Sequence, residues 1–275
     1  MAVGFRQRLA ALTGPKAGRK ELLRSRSAGL PGRFHPVVAG LHDSVDALVA
    51  WIQAPAQAAC TAWIGAGMDH LGNLLSALTG LLHHPEVQDP ERRRCNKASS
   101  WTERLLRDLI LLADAHGCFC EVLVSLKQLL AEAQAAARHR DAARLAVALR
   151  VRCRSDRALS HLASTLRTLT QSHLRSSSST TVTSGSGEAA LAEVVAAATC
   201  AVAAASAAIF AGLASASASS ALRALTSPTA ASPAKAMEGL RSLEECVVAT
   251  EDGCEQVHRA VVNTRMSLLN VLTPC

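Results

Sequence analysis

Apolar residues recur every three or four positions along most of this chain, which is the spacing of helices that bury one face. In the longest run, intervals of four and three alternate throughout: Leu105, Leu109, Leu112, His116, Phe119, Leu123, Leu126 and Leu130. A second run near the end of the chain follows the same rule: Leu240, Leu243, Val247, Thr250, Cys254, Val257, Val261, Thr264, Leu268 and Val271. Both runs predict long helices that bury a continuous seam against their neighbours.

Shorter stripes predict the remaining helices. They comprise Leu41, Val45, Leu48 and Ile52, then Ile64, Met68, Leu71, Leu75, Leu78 and Leu82, and later Leu159, Leu162, Leu166 and Leu169. Glycines at positions 65, 67, 72 and 80 interrupt the second stripe, and either they permit close helix contact or they leave that helix loosely ordered. The whole pattern predicts an all-α protein, an elongated antiparallel bundle of about five or six long helices.

Composition divides the chain into a tail and one domain. Residues 1–35 are rich in Arg, Gly, Ser and Pro and predict a disordered basic tail, whereas residues 36–275 predict a single helical bundle. Clusters of proline, glycine and serine predict internal linkers near 84–98, 176–187 and 224–235. The chain has no Tyr and few aromatic residues, so Ala and Leu supply the apolar mass, which favours helices over strands.

Charge is distributed unevenly along the chain. Residues 1–35 hold eight bases and one acid, which accounts for the whole net charge of +7. Residues 36–90 then hold five acids and no base, and residues 91–175 hold 16 bases and eight acids. The simpler interpretation is that these two regions pair within the fold, and the alternative is that the basic region meets an anionic partner.

The arginines between positions 138 and 157 allow the same two interpretations, a solvated helix face or a surface for an anionic partner. Nucleic acid is the weaker candidate partner, because no aromatic residues interleave with the bases and no nucleic-acid-binding motif surrounds them. We therefore expect no specific nucleic acid partner.

The stretch from Val194 to Leu222 contains no charged residue. As a helix that rises about 1.5 Å per residue, it is long enough to cross a bilayer, and the alternative is a buried central helix. Its first part has few strongly apolar residues, which contribute about −2 to −4 kcal/mol to insertion: Val194, Val195, Val202, Ile209, Phe210 and Leu213. Insertion is marginal on this arithmetic, so membrane association through this helix or the basic tail is the less favoured function.

Candidate chemistry is sparse. His116, Cys118 and Cys120 come closest to a metal cluster, but positions 118 and 120 point roughly 200° apart on a helix and can hardly share one ion. His116 also lies on the seam, where one polar group can set the register. The sequence contains no Gly-x-Ser-x-Gly turn and no dinucleotide-binding glycine loop. We predict no catalytic, cofactor-binding or metal-binding residues, no cofactor and no enzymatic activity.

The nine cysteines are odd in number and irregularly spaced, which predicts a reduced compartment and cysteines used as small core residues. The first 20 residues have several bases and no acid, as transit peptides do, but lack the apolar core of a secretory signal. We expect an intracellular protein of the cytoplasm, with the chloroplast and the endomembranes as alternatives.

Two segments carry a resemblance to a known family. Residues 24–36 read Arg-Ser-Arg-Ser-Ala-Gly-Leu-Pro-Gly-Arg-Phe-His-Pro, and residues 264–272 read Thr-Arg-Met-Ser-Leu-Leu-Asn-Val-Leu. They resemble the opening and the ending of the plant BYPASS-related family, and residues 105–114 and 126–130 are similar to its intervening helices. The chain departs from that pattern by the extra Ala28-Gly29 and by its uncharged, alanine-rich fifth helix.

The resemblance implies a plant-specific helical protein linked to root and shoot development, with no established catalytic residues to carry over. Together with the apolar seams and the lack of a recognisable site, it predicts a non-enzymatic protein that acts through contacts with an unknown protein partner in development or signalling.

Overall fold

The computed structural model describes residues 35–54, 60–88, 100–179, 187–225 and 233–273. These residues form helices α1 (His35–Gln53), α2 (Cys60–Leu82), α3 (Pro85–Gln88), α4 (Ser100–Arg138), α5 (Ala142–Ser179), α6 (Gly187–Leu225) and α7 (Pro233–Leu272). The predicted all-α fold is confirmed, with six long helices and one short helix in the described ranges. The predicted tail up to residue 34 and most of each predicted linker lie outside the described residues.

Five long helices surround the sixth. α6, whose stretch from Val194 to Leu222 carries no charge, packs against α1, α2, α4, α5 and α7. The outer helices contact one another in the order α1, α2, α7, α4, α5. The small side chains of α6 allow this enclosure: every residue from Ala198 to Ala207 is buried. Because α6 is buried on all sides from Ala198 to Ala207, this part of its sequence shows no amphipathic stripe.

The predicted seams form the core. All eight residues of the α4 seam and all ten of the α7 seam are at most 4% exposed. The α1 and α2 stripes are buried as well, whereas Leu162 and Leu169 of the α5 stripe are half-buried. The alternation of threes and fours therefore identified the inward faces of the helices correctly.

α4 and α7 run antiparallel, which can be read from the pairs that join them. Gln134 Nε2 donates to Glu244 Oε2 at 2.6 Å, Lys127 forms an ion pair with Glu251, and Cys120 is bonded to Cys254. Residue numbers fall along α7 as they rise along α4, so the two seams face each other over most of their length.

A tight turn joins α4 to α5. The N–H of Asp141 donates to the Ala136 carbonyl at 2.9 Å, and the N–H of Arg140 donates to the Ala137 carbonyl at 3.2 Å. This pair of bonds is a Schellman motif, and it requires the positive φ of 53° found at Arg140. Oδ1 of Asp141 then accepts a hydrogen bond from the N–H of Arg144 at 3.0 Å and caps α5.

One of the four interrupting glycines permits a close contact. Trp51 of α1 stacks on Trp63 of α2 with ring centroids 4.3 Å apart, and its indole N–H donates to the Trp63 carbonyl at 3.0 Å. A Cβ at Gly67 would overlap the Trp51 ring, so glycine makes room for the stack. The positions of Gly65, Gly72 and Gly80 have open space around them.

The predicted pairing of the acidic first region with the basic middle does not extend to the arginines of α5. α5, which carries seven of the 16 basic residues of this middle region, packs on α4 and α6, while the acid-bearing α1 and α2 lie on other sides of α6. Among the described residues, no ion pair joins an arginine of α5 to an acid of α1 or α2. Internal pairing with that acidic region therefore does not account for the basic residues of α5.

Candidate functional site

The polar side chains most suited to chemistry lie inside the bundle, where α4 and α5 pack against α6. They form three separate groups along these helices, centred on His116, on Asp108 with His173, and on Arg152. Each group joins two helices, so each contributes to the register between them.

His116 is the polar member of the α4 seam and is fully buried. Its Nε2 and the Ser206 Oγ of α6 share a hydrogen bond of 2.9 Å, and its ring meets Phe210 edge-on at 5.3 Å between centroids. Burial, assisted by the nearby His258, lowers the pKa of His116 to about 3. The imidazole is therefore neutral at neutral pH, consistent with the predicted role of setting register.

A Cys, a His and an Asp lie close together near the C-terminal end of α5. His173 Nε2 lies 2.8 Å from Asp108 Oδ2, which joins α5 to α4. The Cys200 thiol of α6 points to the Thr170 carbonyl at 3.9 Å. Burial, together with the Asp108 carboxylate, raises the pKa of the Cys200 thiol to about 12. A thiol attacks only as its thiolate, so this trio lacks an ionised nucleophile despite its composition.

Arg152 is the exception within the arginine-rich region that the sequence suggested to be solvated. It is buried, and its guanidinium donates to the Ser217 carbonyl of α6 and lies 3.5 Å from Asp156 Oδ2. The neighbouring arginines of α5 at positions 150, 154 and 157 are exposed. Arg152 therefore ties α5 to α6, while the others form an outer surface.

The structure separates the three residues that came closest to a metal cluster. His116 is buried, Cys118 is exposed, and Cys120 forms a disulfide with Cys254 across α4 and α7 with Cα atoms 6.3 Å apart. In the described part of the chain, no group of three or more His, Cys, Asp or Glu residues is placed to hold a metal ion.

The expectation that cysteines serve as small core residues fits only some of them. Cys200 and Cys246 are buried free thiols, whereas Cys118 and Cys153 are exposed, and Cys120 is bonded to Cys254. The disulfide could not be deduced from spacing, because 134 residues separate its cysteines.

Sequence reasoning also missed the contact between Asp108 and His173. One signal was present: His173 continues the α5 stripe, four residues beyond Leu169, where an apolar residue was due. A polar residue on a buried stripe needs a partner, but periodicity within one helix does not identify the helix that provides it.

The family of the chain follows from its match to a family model. The model described as Protein BPS1 matches residues 67–233 and 219–271. The chain belongs to the BPS1 family. This match confirms the resemblance to the BYPASS-related family and includes nearly all of the closing run 264–272, whereas the opening run 24–36 lies outside it. Comparison with curated proteins and with solved structures gives no match.

Membership in the BPS1 family indicates a plant developmental protein. The matched residues include most of α2 and all of α3 to α6, and they continue to within one residue of the end of α7. The buried polar groups described above therefore lie within the part of the chain that the family shares.

Proposed function

We propose that this BPS1-family chain is a non-enzymatic plant protein that acts in root and shoot development through contacts with a protein partner. The burial of His116 and Cys200 within the bundle, where each contacts a neighbouring helix, carries the proposal. Proton transfer is most efficient when the pKa of the catalytic group is near the operating pH, but the pKa of His116 is about 3 and that of Cys200 about 12. These groups suit packing better than catalysis, which leaves the outer surfaces of the helices to act.

The proposal requires no cofactor, metal ion or specific nucleic acid. The cytoplasm is the compartment that we propose, with the chloroplast and the endomembranes as alternatives.

Several apolar side chains on the outer helix faces are exposed, among them Leu111 and Val124 of α4 and Val248 and Met266 of α7. They are single apolar residues spread along these two helices, so they do not by themselves identify the partner.

Membrane association through α6 or the basic tail is the second candidate function. Two helices, Trp101–Arg138 and Ala190–Ser220, are long and apolar enough to cross a membrane. The apolar stretch of the second is 78% buried against other helices, which supports a core helix over a lipid-exposed one. Membrane insertion by α6 would require the surrounding helices to separate from it.

Complementation of a plant line that lacks this protein tests the non-enzymatic proposal. We expect His116→Gln, which keeps a hydrogen-bonding group near Ser206, and Cys200→Ala, which keeps a small core residue, to restore root and shoot growth. Leu123→Asp, which buries a charge in the α4 seam, is the control that should fail. A His116→Gln or Cys200→Ala protein that folds and accumulates normally but does not restore growth would instead assign chemistry to that group.

Proximity labelling in plant cells tests the partner. The full chain fused to a labelling enzyme should enrich a reproducible set of proteins relative to the labelling enzyme alone. The Leu123→Asp fusion, expressed at a matched level, should lose that set because the outer surfaces depend on the fold. Identical labelling by the intact fusion and by the enzyme alone would count against a protein partner.

A further inference from the structure

The outward side of the α4–α5 turn and of the first half of α5 carries one sign of charge. Its arginines are all exposed, and we call this surface the arginine face: Arg138, Arg140, Arg144, Arg150, Arg154 and Arg157. The two acids in this stretch are half-buried and make internal bonds, Asp141 to the N–H of Arg144 and Asp156 to Arg152. The face is therefore basic without acidic residues interspersed on its surface.

Two valines lie in the middle of this face. Val147 is 54% exposed and Val151 36% exposed, and their spacing of four places them side by side. On a helix with 3.6 residues per turn, they and the four α5 arginines of the face fall within an arc of about 140°. Arg144 flanks the valines on one side, and Arg150, Arg154 and Arg157 flank them on the other. Apolar residues flanked by arginines are typical of helices that rest on a membrane surface.

Arg144 and Arg140 occupy positions that do not favour arginine for the stability of the helices. Arg144 lies in the first turn of α5, where the helix dipole disfavours positive charge. Arg140 has a φ of 53° at the position after α4 that glycine usually occupies. Among the described residues, none of the six arginines forms an ion pair with an acid. The charge of the face is therefore available to an external partner.

We propose that the arginine face docks on the surface of an anionic phospholipid membrane. Guanidinium groups bind phosphate oxygens in a forked geometry, and the two valines would lie between the lipid headgroups. The arginine face is the convex side of one helix, so it can lie along a flat membrane surface. It presents no exposed acid that would fix the register of a protein partner. α5 stays in the bundle during docking, and neither α6 nor the basic tail is required. The inference does not rest on the proposed protein contacts.

Vesicle sedimentation with the full chain tests the proposal. Vesicles of phosphatidylcholine mixed with phosphatidylserine should bind the protein, and vesicles of phosphatidylcholine alone should not. The triple variant Arg150→Gln, Arg154→Gln, Arg157→Gln should lower the association constant for the mixed vesicles by about 10- to 100-fold. The matched control is the triple variant Arg107→Gln, Arg241→Gln, Arg259→Gln, which removes three exposed arginines from α4 and α7. It should change the association constant for the mixed vesicles by less than about threefold.

A second variant pair separates apolar contact from charge. Val147→Ser with Val151→Ser should weaken binding several-fold at a salt concentration that screens the arginines, while circular dichroism stays unchanged because both side chains are exposed. Equal losses in the two arginine triples would overturn the proposal in favour of net charge alone. If the triple arginine variant of α5 binds the mixed vesicles as well as wild type does, lipid binding belongs to residues 1–35 instead. If the protein binds polyglutamate more tightly than the mixed vesicles, the arginine face is a site for an acidic protein instead.

Discussion

One histidine in α4 illustrates how burial determines what a residue can do. His116 occupies a seam position that would ordinarily hold leucine, and Ser206 on α6 provides its hydrogen-bond partner. In the unfolded chain its pKa is close to the ordinary histidine value of 6.5, and in the fold its pKa is about 3. Between these values the unfolded chain binds a proton that the folded chain does not, so acid favours unfolding.

This difference predicts a pH dependence of stability. Between pH 7 and pH 5 the wild-type free energy of unfolding should fall by about 2 kcal/mol more than that of His116→Gln, because glutamine does not titrate. Chemical denaturation at a series of pH values measures the difference. His161→Gln, which alters an exposed histidine of α5, should leave the wild-type slope unchanged. Parallel pH profiles for wild type and His116→Gln would show that the buried imidazole does not resist protonation.

At the scale of the element, the seams of α4 and α7 could be predicted completely, because each buries one face and therefore repeats every three or four residues. α6 could be predicted as a helix, but the helices that pack against it could not be identified. A helix that is buried on all sides has no apolar stripe to show which face meets which neighbour. The stack of Trp51 on Trp63 could not be predicted either, because it depends on where two helices cross. The glycines of α2 were the only sequence signal for a close helix contact, and three of those four glycines have open space around them.

The contact between α1 and α2 can be tested at Gly67. Alanine there would overlap the Trp51 ring, which is held by its stack on Trp63 and its bond to the Trp63 carbonyl, so Gly67→Ala should destabilise the fold by about 1–3 kcal/mol. Gly72→Ala, at a position with nothing within 4 Å, should stabilise it by up to about 1 kcal/mol through helix propensity. Thermal unfolding of the two variants compares them directly. If both alanines stabilise the protein, the close contact at Gly67 is not present.

Across the whole molecule, the all-α bundle was predictable from pattern and composition, but the location of its charge was not. The simpler interpretation paired the acidic first region with the basic middle, but the arginines of α5 lie away from α1 and α2 because α5 packs on α4 and α6. The sequence did not favour a metal cluster at His116, Cys118 and Cys120, and these residues separate in the structure. It did not predict that Asp108, His173 and Cys200 come close together from three helices. Contacts between helices depend on packing order, which periodicity within a helix does not contain.

The uncharged stretch of α6 forms the core of the bundle, surrounded by five helices. Hydrogen exchange of the full chain in detergent-free buffer tests it most directly, because amides that open only on global unfolding exchange slowest. We predict that the amides from Ala198 to Leu213 are the most protected in the described part of the chain, and that Leu123→Asp reduces their protection together with that of α4. Rapid exchange across this stretch in the folded protein, or protection that develops only when lipid or detergent is added, would contradict the claim.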